Sequence, residues 1–372
     1  MKATTLKLFK QTTTKYINIM ARTSFNETIS KTHPVYQPET GRYWIYGGLG
    51  CPFSQRIMIA RSIKGLNSII GLTVAHWLMG PKGWQFIQSD QKLTDEPYRY
   101  DGGVTSTEND NSGSFKGVTE DTERLFIDGV NDPHYNTRSV RELYKKSDPE
   151  YAGVFSVPIL WDLKTQTIVN NDSGEIIRLL NSGVFDDLVE NPVTKDQIDL
   201  APEDLIPQLD EYNKWLQVNV NSGVYKVNNA TTQEDYEDQS NNLFKSFDEI
   251  ETKLNKIYHD LEYKFGEEDK KNILSKFFLF NGQITDSDIR LYTTIVRFDS
   301  AYHEHFNCNY KSIRNDYPFL HLWLQNLYWN YNSFKLTTNF DHIKLFYYKS
   351  FVKTKPTGFV ALGPEFDILP LN

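Results

Sequence analysis

The chain has 372 residues, a formal net charge of −8, 39% hydrophobic and 24% charged residues, and only two cysteines. That length accommodates two domains, and the acidic balance without any Lys/Arg block argues against a nucleic-acid partner. No run approaches the ~18 apolar residues of a membrane span, and Cys51 and Cys308 are too few for a disulfide framework or a thiolate metal site, so neither membrane nor metal is expected.

Residues 1–24 carry Lys2, Lys7, Lys10, Lys15 and Arg22, several threonines, and no acid before Glu27. Two readings stay open for this N-terminal extension: a mitochondrial transit peptide, or a cytosolic extension without structure. The expected location is therefore cytoplasmic, with the mitochondrion as the alternative. "RYWIYGGL" (Arg42–Leu49) is aromatic, β-branched and bounded by glycine, which predicts a strand. Pro52 opens a helix whose apolar face is Ile57, Ile59, Ala60 and Ile63, and "IIGLTVAHW" (Ile69–Trp77) supplies a second strand, completing a βαβ start. Residues 88–120 are rich in Gly, Ser, Asn and Asp and predict a polar surface insertion. Thr137–Asp148 is then a short helix, "FSVPILWD" and "QTIVN" form a hairpin, and "NDSGEIIRLLNSG" is a helix with a strong start. From about residue 200 the pattern is helical only. Leu243, Phe244, Phe247, Ile250, Leu254, Ile257, Tyr258 and Leu261 mark one face of a long helix. The prolines and glycines after 355 predict an extended tail.

"GGLGCPFSQR" holds the chemistry. A cysteine just before a helix faces that helix's unpaired N–H groups and its positive end, which stabilise a thiolate. The pattern is that of an activated nucleophile, against which stands a plain buried thiol. Ser54 occupies the place where a second cysteine would resolve a mixed disulfide internally. The resolving thiol must then come from outside, and glutathione is the abundant candidate. Pro158 in "SVPIL" holds Val157 extended; if their peptide bond is cis, the Val157 N–H and C=O turn outward to pair with a peptide ligand. In "NDSGEIIR", Asp172 or Ser173 caps the next helix, with Glu175 set for a capping box. That N-terminus suits the γ-glutamyl carboxylate on Ser173 and backbone N–H groups, with Asp172 taking the ligand's amino group.

Together these pieces resemble a glutathione transferase. The segments "GRYWIY…CPFSQR", "SDPEYAGVFSVPILWD…TIVNNDSGEIIR", "NSGVYK", "TDSDIRLYTTIVRFD" and "TTNFDHIKLFYYKS" are similar to the xi class, the glutathionyl-hydroquinone reductases with the yeast omega-like transferases. The resemblance runs from about Arg22 to Leu371. It implies an α/β thioredoxin-like N-terminal domain over residues 25–195, an all-α domain over 196–345 and a tail over 346–372. It also implies a nucleophile at Cys51, glutathione contacts at Phe53, Trp84, Val157, Pro158, Asp172 and Ser173, and an acceptor pocket lined by Tyr225, Tyr302 and Tyr347. Thr285 and Asp288 match the capping box of the buried helix of this fold, a structural pair. Glutathione would serve as co-substrate, and a homodimer is expected.

Several positions depart from the family pattern. Phe53 stands for the usual Trp, Ser54 for Ala, Val154 for an Arg, Phe346 for a His, and Asp172 for Glu. The expected reaction is reductive deglutathionylation of glutathionyl-hydroquinones through a mixed disulfide on Cys51. The alternatives are a broader omega-like thioltransferase or dehydroascorbate reductase, and a non-catalytic binding protein on the same fold. Arg56 is expected in a salt bridge of the first helix, with steering of glutathione's carboxylates as the alternative, and Cys308 as a packed thiol.

Overall fold

Strand β1 (Tyr43–Gly47) is the centre of a four-stranded sheet in the computed structural model of the chain, which describes residues 23–87, 131–194, 197–280, 282–351 and 357–371. Residues 1–22 and the expected polar insertion at 88–120 lie outside the described residues. After β1 come helix α1 (Pro52–Ile63) and β2 (Gly71–Val74), which pairs parallel to β1 with Trp44 opposite Gly71. A side chain at position 71 would collide with the Trp44 ring, so glycine is what lets these two strands meet.

Helix α2 (Val140–Ser147) leads to the hairpin β3 (Ile159–Asp162) and β4 (Thr167–Asn170), antiparallel to each other, with β3 antiparallel to β1. The sheet order is β2-β1-β3-β4. Helix α3 (Ser173–Asn181) packs with α1. All residues of β2 and β3 are buried, so this sheet is covered on both faces and reads as apolar runs rather than alternation.

The second half is helical: α4 (Ile206–Leu216), α5 (Gly223–Asn229), α6 (Gln233–Phe265), α7 (Lys270–Leu274), α8 (Asp286–Ile295), α9 (Pro318–Asn330) and α10 (Phe340–Ser350). Helix α6 starts where the Thr232 side chain accepts the Asp235 N–H and stops at Gly266, whose φ of 89° a side chain rarely adopts. Its buried stripe, Leu243, Phe244, Phe247, Ile250 and Leu254, is the periodic face expected, while Ile257, Tyr258 and Leu261 are only half-buried. Thr285 and Asp288 form the expected capping box of α8, and the Asp288 carboxylate also accepts from the Leu279 N–H and Trp323 Nε1. It is thus a fully buried carboxylate whose oxygens are satisfied by neutral donors.

The tail expected from 346 begins later. The Asn339 side chain caps α10 by accepting the His342 N–H, and Ile343, Phe346 and Tyr347 are buried, so the helix runs through residue 350. The remaining described tail lies over α9, where Trp329 Nε1 and Gln325 Nε2 donate to carbonyls of Leu369 and Pro370.

Arg42 and Asp162 form a buried bidentate ion pair across β1 and β3, both N···O distances being 2.8 Å. Burial by itself would raise the Asp162 carboxyl; donation from Arg42, Thr165 and the Lys164 N–H outweighs it and holds the group below its usual 3.8. A carboxyl depressed by folding stabilises the native state above its unfolded value, and that contribution disappears as pH falls through the folded one. Arg42→Met should therefore cost about 3–5 kcal/mol near neutral pH, because it strands a buried charge. The difference from the parent chain in urea midpoints should shrink below pH 3.8, where Asp162 takes up a proton.

Candidate functional site

Cys51 stands at the N-cap of α1 in an extended conformation, with Pro52 as the first helical residue. The residue is 6% exposed, its sulfur points at the Val157 carbonyl 3.6 Å away, and the Val157–Pro158 bond is cis. The sequence pattern places Cys51 at the helix start but leaves the isomer of the Val157–Pro158 bond open; the fold brings the end of β1 and the start of β3 together so that the two face each other.

The turn before Cys51 has no room for side chains. A Cβ at Gly48 would lie 2.5 Å from the Trp84 ring, and one at Gly50 would lie 2.5 Å from Phe346. Trp84 and Phe346 stack on one another, centroids 4.8 Å apart and planes 14° apart. Phe346, singled out in the sequence only as a departure, is thus the lid of the turn and the partner of Trp84.

Asp172 caps α3, its Oδ1 accepting the Gly174 and Glu175 N–H groups at 2.7 and 2.9 Å. The reciprocal half of the expected capping box is not formed. The Asp172 N–H donates to Asn170 Oδ1, and Glu175 takes Asn170 Nδ2 instead. Ser173 is nearly buried, and its hydroxyl accepts Nη1 of Arg56 at 3.4 Å.

Arg56 makes no ion pair with a carboxylate among the described residues, contrary to the salt bridge expected of it. Its Nη2 reaches Asn221 Oδ1 at 2.7 Å and Gln217 Oε1 at 3.2 Å, and its plane lies 4.6 Å over the Phe53 ring. Burial and the charge of Arg290 bring the guanidinium down to about 9. The reason for the difference is tertiary: α1 packs between α3 and α8, so its last motif residue faces the helical half rather than its own helix surface.

The three tyrosines meet. The Tyr347 hydroxyl lies 2.8 Å from both Tyr225 and Tyr302. Three hydroxyls carry three protons and the two mutual bonds use two, so one O–H is left to donate. Burial, followed by their mutual repulsion, raises Tyr225 and Tyr347 well above 10, and burial likewise raises Tyr302. All three stay neutral donors. Cys51 is near enough to Tyr225 and Tyr302 for electrostatic influence between them. The π-helical turns Gln217–Asn221 and Phe298–Tyr302 set these positions: the second carries Tyr302 and the first immediately precedes α5, which bears Tyr225.

Val154 is 77% exposed and brings no cation to the site. Cys308 is fully buried, and burial pushes its thiol up, as expected of a packed cysteine. No cluster of three or more His, Cys, Asp or Glu residues suited to a metal occurs among the described residues. The sequence reading missed Gln55 and Arg297, which bond to one another beside the Cys51 turn. The signal was present as a lone charge in the apolar stretch "TTIVRF".

Comparisons with known proteins agree with this geometry. The family model for the glutathione S-transferase N-terminal domain matches residues 50–182, and that for the glutathione S-transferase C-terminal domain matches 233–326. The chain is 48% identical to glutathione S-transferase omega-like 2 of Saccharomyces cerevisiae over 354 residues, covering 94% of this chain and 95% of that one. It is 33% identical to the glutathionyl-hydroquinone reductase PcpF of Sphingobium chlorophenolicum, covering 88% and 85%. The crystal structure of the Xi glutathione transferase ECM4 from Saccharomyces cerevisiae in complex with glutathione superimposes with a TM-score of 0.83 at 47% identity, covering 95% of this chain and 99% of that one.

The fit of the turn gives a prediction. Gly50→Ala should disrupt the Trp84–Phe346 stack and lower the rate at which Cys51 is alkylated, and Phe346→Ala in the same chain should restore much of it. An unimpaired single variant would contradict the close approach.

Proposed function

Because the chain belongs to the glutathione S-transferase family, with Xi-class enzymes among its structural neighbours and glutathionyl-hydroquinone reductases among its relatives, we propose that it removes glutathione from glutathionyl-hydroquinones through a Cys51 mixed disulfide. The observation that carries this reading is the Cys51 sulfur at a helix N-terminus, 3.6 Å from the Val157 carbonyl and beside a buried cluster of three tyrosines.

Glutathione lies with its backbone along Val157 and its γ-glutamyl end at Asp172 and Ser173. Because Arg56 can only donate, it occupies a Ser173 lone pair and leaves the serine proton to meet the ligand carboxylate. The Cys51 sulfur lies at the N-cap of α1. The Cys51 thiolate attacks the thioether sulfur of the substrate, forming the Cys51–glutathione disulfide. The carbon–sulfur bond breaks, its electron pair goes to the aromatic ring, and that carbon takes up a proton to give the hydroquinone. The spare tyrosine O–H donates to the phenolic oxygen as charge spreads into the ring. A second glutathione, as thiolate, attacks the mixed disulfide and leaves as oxidised glutathione, regenerating Cys51. The thioether sulfur of the substrate and the thiol of one added glutathione are together oxidised to the disulfide while the ring carbon is reduced, so no other reductant is needed. Ser54 in the position after Phe53 fits this use of an external thiol.

A broader thioltransferase would use the same sulfur without the tyrosines, so the two readings separate by substrate. Cys51→Ser should abolish turnover and the glutathione adduct seen by intact mass, while Cys308→Ala keeps both. Full turnover in Cys51→Ser sinks the mechanism. Tyr347→Phe removes the hydroxyl shared by both tyrosine contacts; hydroquinone turnover should fall about a hundredfold, with hydroxyethyl disulfide reduction changed by less than about threefold. Equal losses on both substrates would remove the tyrosines from the acceptor role.

A further inference from the structure

One fully buried cation beside the site has no place in the scheme above. Arg297 follows α8 by two residues and is wholly shielded from solvent, yet every hydrogen bond described for it ends on a neutral oxygen. A buried guanidinium held this way is costly to desolvate and calls for a reason beyond filling space.

Its bonds divide by edge. Nη1 is tied to its own helix through the Thr293 carbonyl at 2.7 Å and to the Gln55 side chain, which is itself anchored by the Thr337 carbonyl and Thr338 hydroxyl. The other edge faces the first half of the chain. Nε donates to the Gly50 carbonyl at 3.2 Å and Nη2 to the Leu49 carbonyl at 2.9 Å. The Gly50 carbonyl belongs to the peptide plane whose nitrogen is that of Cys51. Fixing that oxygen fixes the plane, and with it the rotation at which Cys51 enters α1. A planar fork holds two successive carbonyls at once; a lysine ammonium, a single point on a flexible stem, cannot reproduce that. The same residue lies close enough to Tyr302 and Tyr347 that its charge acts on both hydroxyls.

We infer that Arg297 is a positioning residue: it sets the Gly50–Cys51 peptide plane and so holds the Cys51 sulfur in its place beside the Val157 carbonyl, from across the junction of the two halves. This rests on reading Cys51 as the nucleophile. It is distinct from a plain strut between the halves, which would weaken every function together. Of the expected glutathione contacts, Val157, Asp172 and Ser173 belong to elements to which no described hydrogen bond of Arg297 runs, whereas Phe53 shares α1 with Gln55.

The test uses the full chain in a Cys308→Ala background and compares Arg297→Lys with Cys51→Ser. Glutathione affinity by calorimetry, alkylation of Cys51 by iodoacetamide, and kcat and KM on a glutathionyl-hydroquinone are measured in each. Arg297→Lys should keep glutathione affinity within about threefold while alkylation and kcat fall about a hundredfold, the scale of a small misplacement of a reacting atom. Parent-like alkylation and kcat in Arg297→Lys overturn the inference, as does a loss of glutathione affinity as large as the loss of kcat. Should Arg297→Lys fail to fold, Gln55→Leu removes the anchor of Nη1 and should give the same split between affinity and kcat in weaker form; no split there overturns the inference too. An inactive Cys51→Ser beside a fully active Arg297→Lys defeats this inference alone, whereas an active Cys51→Ser defeats the nucleophile reading itself.

Discussion

The turn from Gly47 to Cys51 is squeezed between the two halves of the molecule, and the rest of the site depends on that fit. On one side the stacked rings of Trp84 and Phe346 lie so close that Gly48 and Gly50 admit no side chain. On the other, the carbonyls of Leu49 and Gly50 are bonded by a guanidinium from the helical half. The turn can therefore take few conformations, and the first residue it delivers into α1 is Cys51. A side chain at a loop tip would otherwise wander; here packing fixes Cys51 in place.

The junction is cemented in an unusual currency. Arg56 and Arg297 are both buried, and both spend their donors on amide and hydroxyl oxygens rather than carboxylates. Arg42, by contrast, lies within the sheet half and pairs with Asp162 in the ordinary way. The two patterns fit two tasks. An ion pair satisfies both charges and leaves no field to spare, which suits a structural position. Arg56 within α1 and Arg297 bonded to the turn before it place two cations close to Cys51 that form no ion pair among the described residues. Their neutral acceptors offset part of the cost of burying them.

The tyrosine cluster is assembled from three separate stretches of helix. Tyr225 comes from α5, Tyr302 from a π-helical turn and Tyr347 from α10, and their hydroxyls converge without any carboxylate partner. Burial keeps them protonated, so they remain donors through the neutral range. Phe346 beside Tyr347 joins this cluster to the glutathione side, since its ring packs against Trp84. A change of one ring on α10 is thereby felt on both sides of the sulfur.

Local pattern was enough for some of this. The strand ending in glycines, the proline at the first turn of α1, the βαβ start, the hairpin and the stripe along α6 all follow from short-range sterics and periodicity, which a sequence carries openly. So does Cys51 at a helix start, while the capping box of Thr285 and Asp288 was expected from the family resemblance. The partners of charged groups were not legible. Arg56 was expected to pair within its own helix, and Glu175 to complete a capping box; each instead bonds to residues set by packing. Arg297 went unremarked because its acceptors are backbone carbonyls 247 and 248 residues away, and a carbonyl leaves no mark on a sequence. The extent of α10 was missed for a related reason, since an aromatic run near glycines and prolines reads as a tail until there is a core to bury it. The sequence alone determined which elements form and where the sulfur sits along the chain. Only the tertiary structure decided what faces that sulfur, because buried hydrogen bonds and ring contacts are chosen by proximity in space.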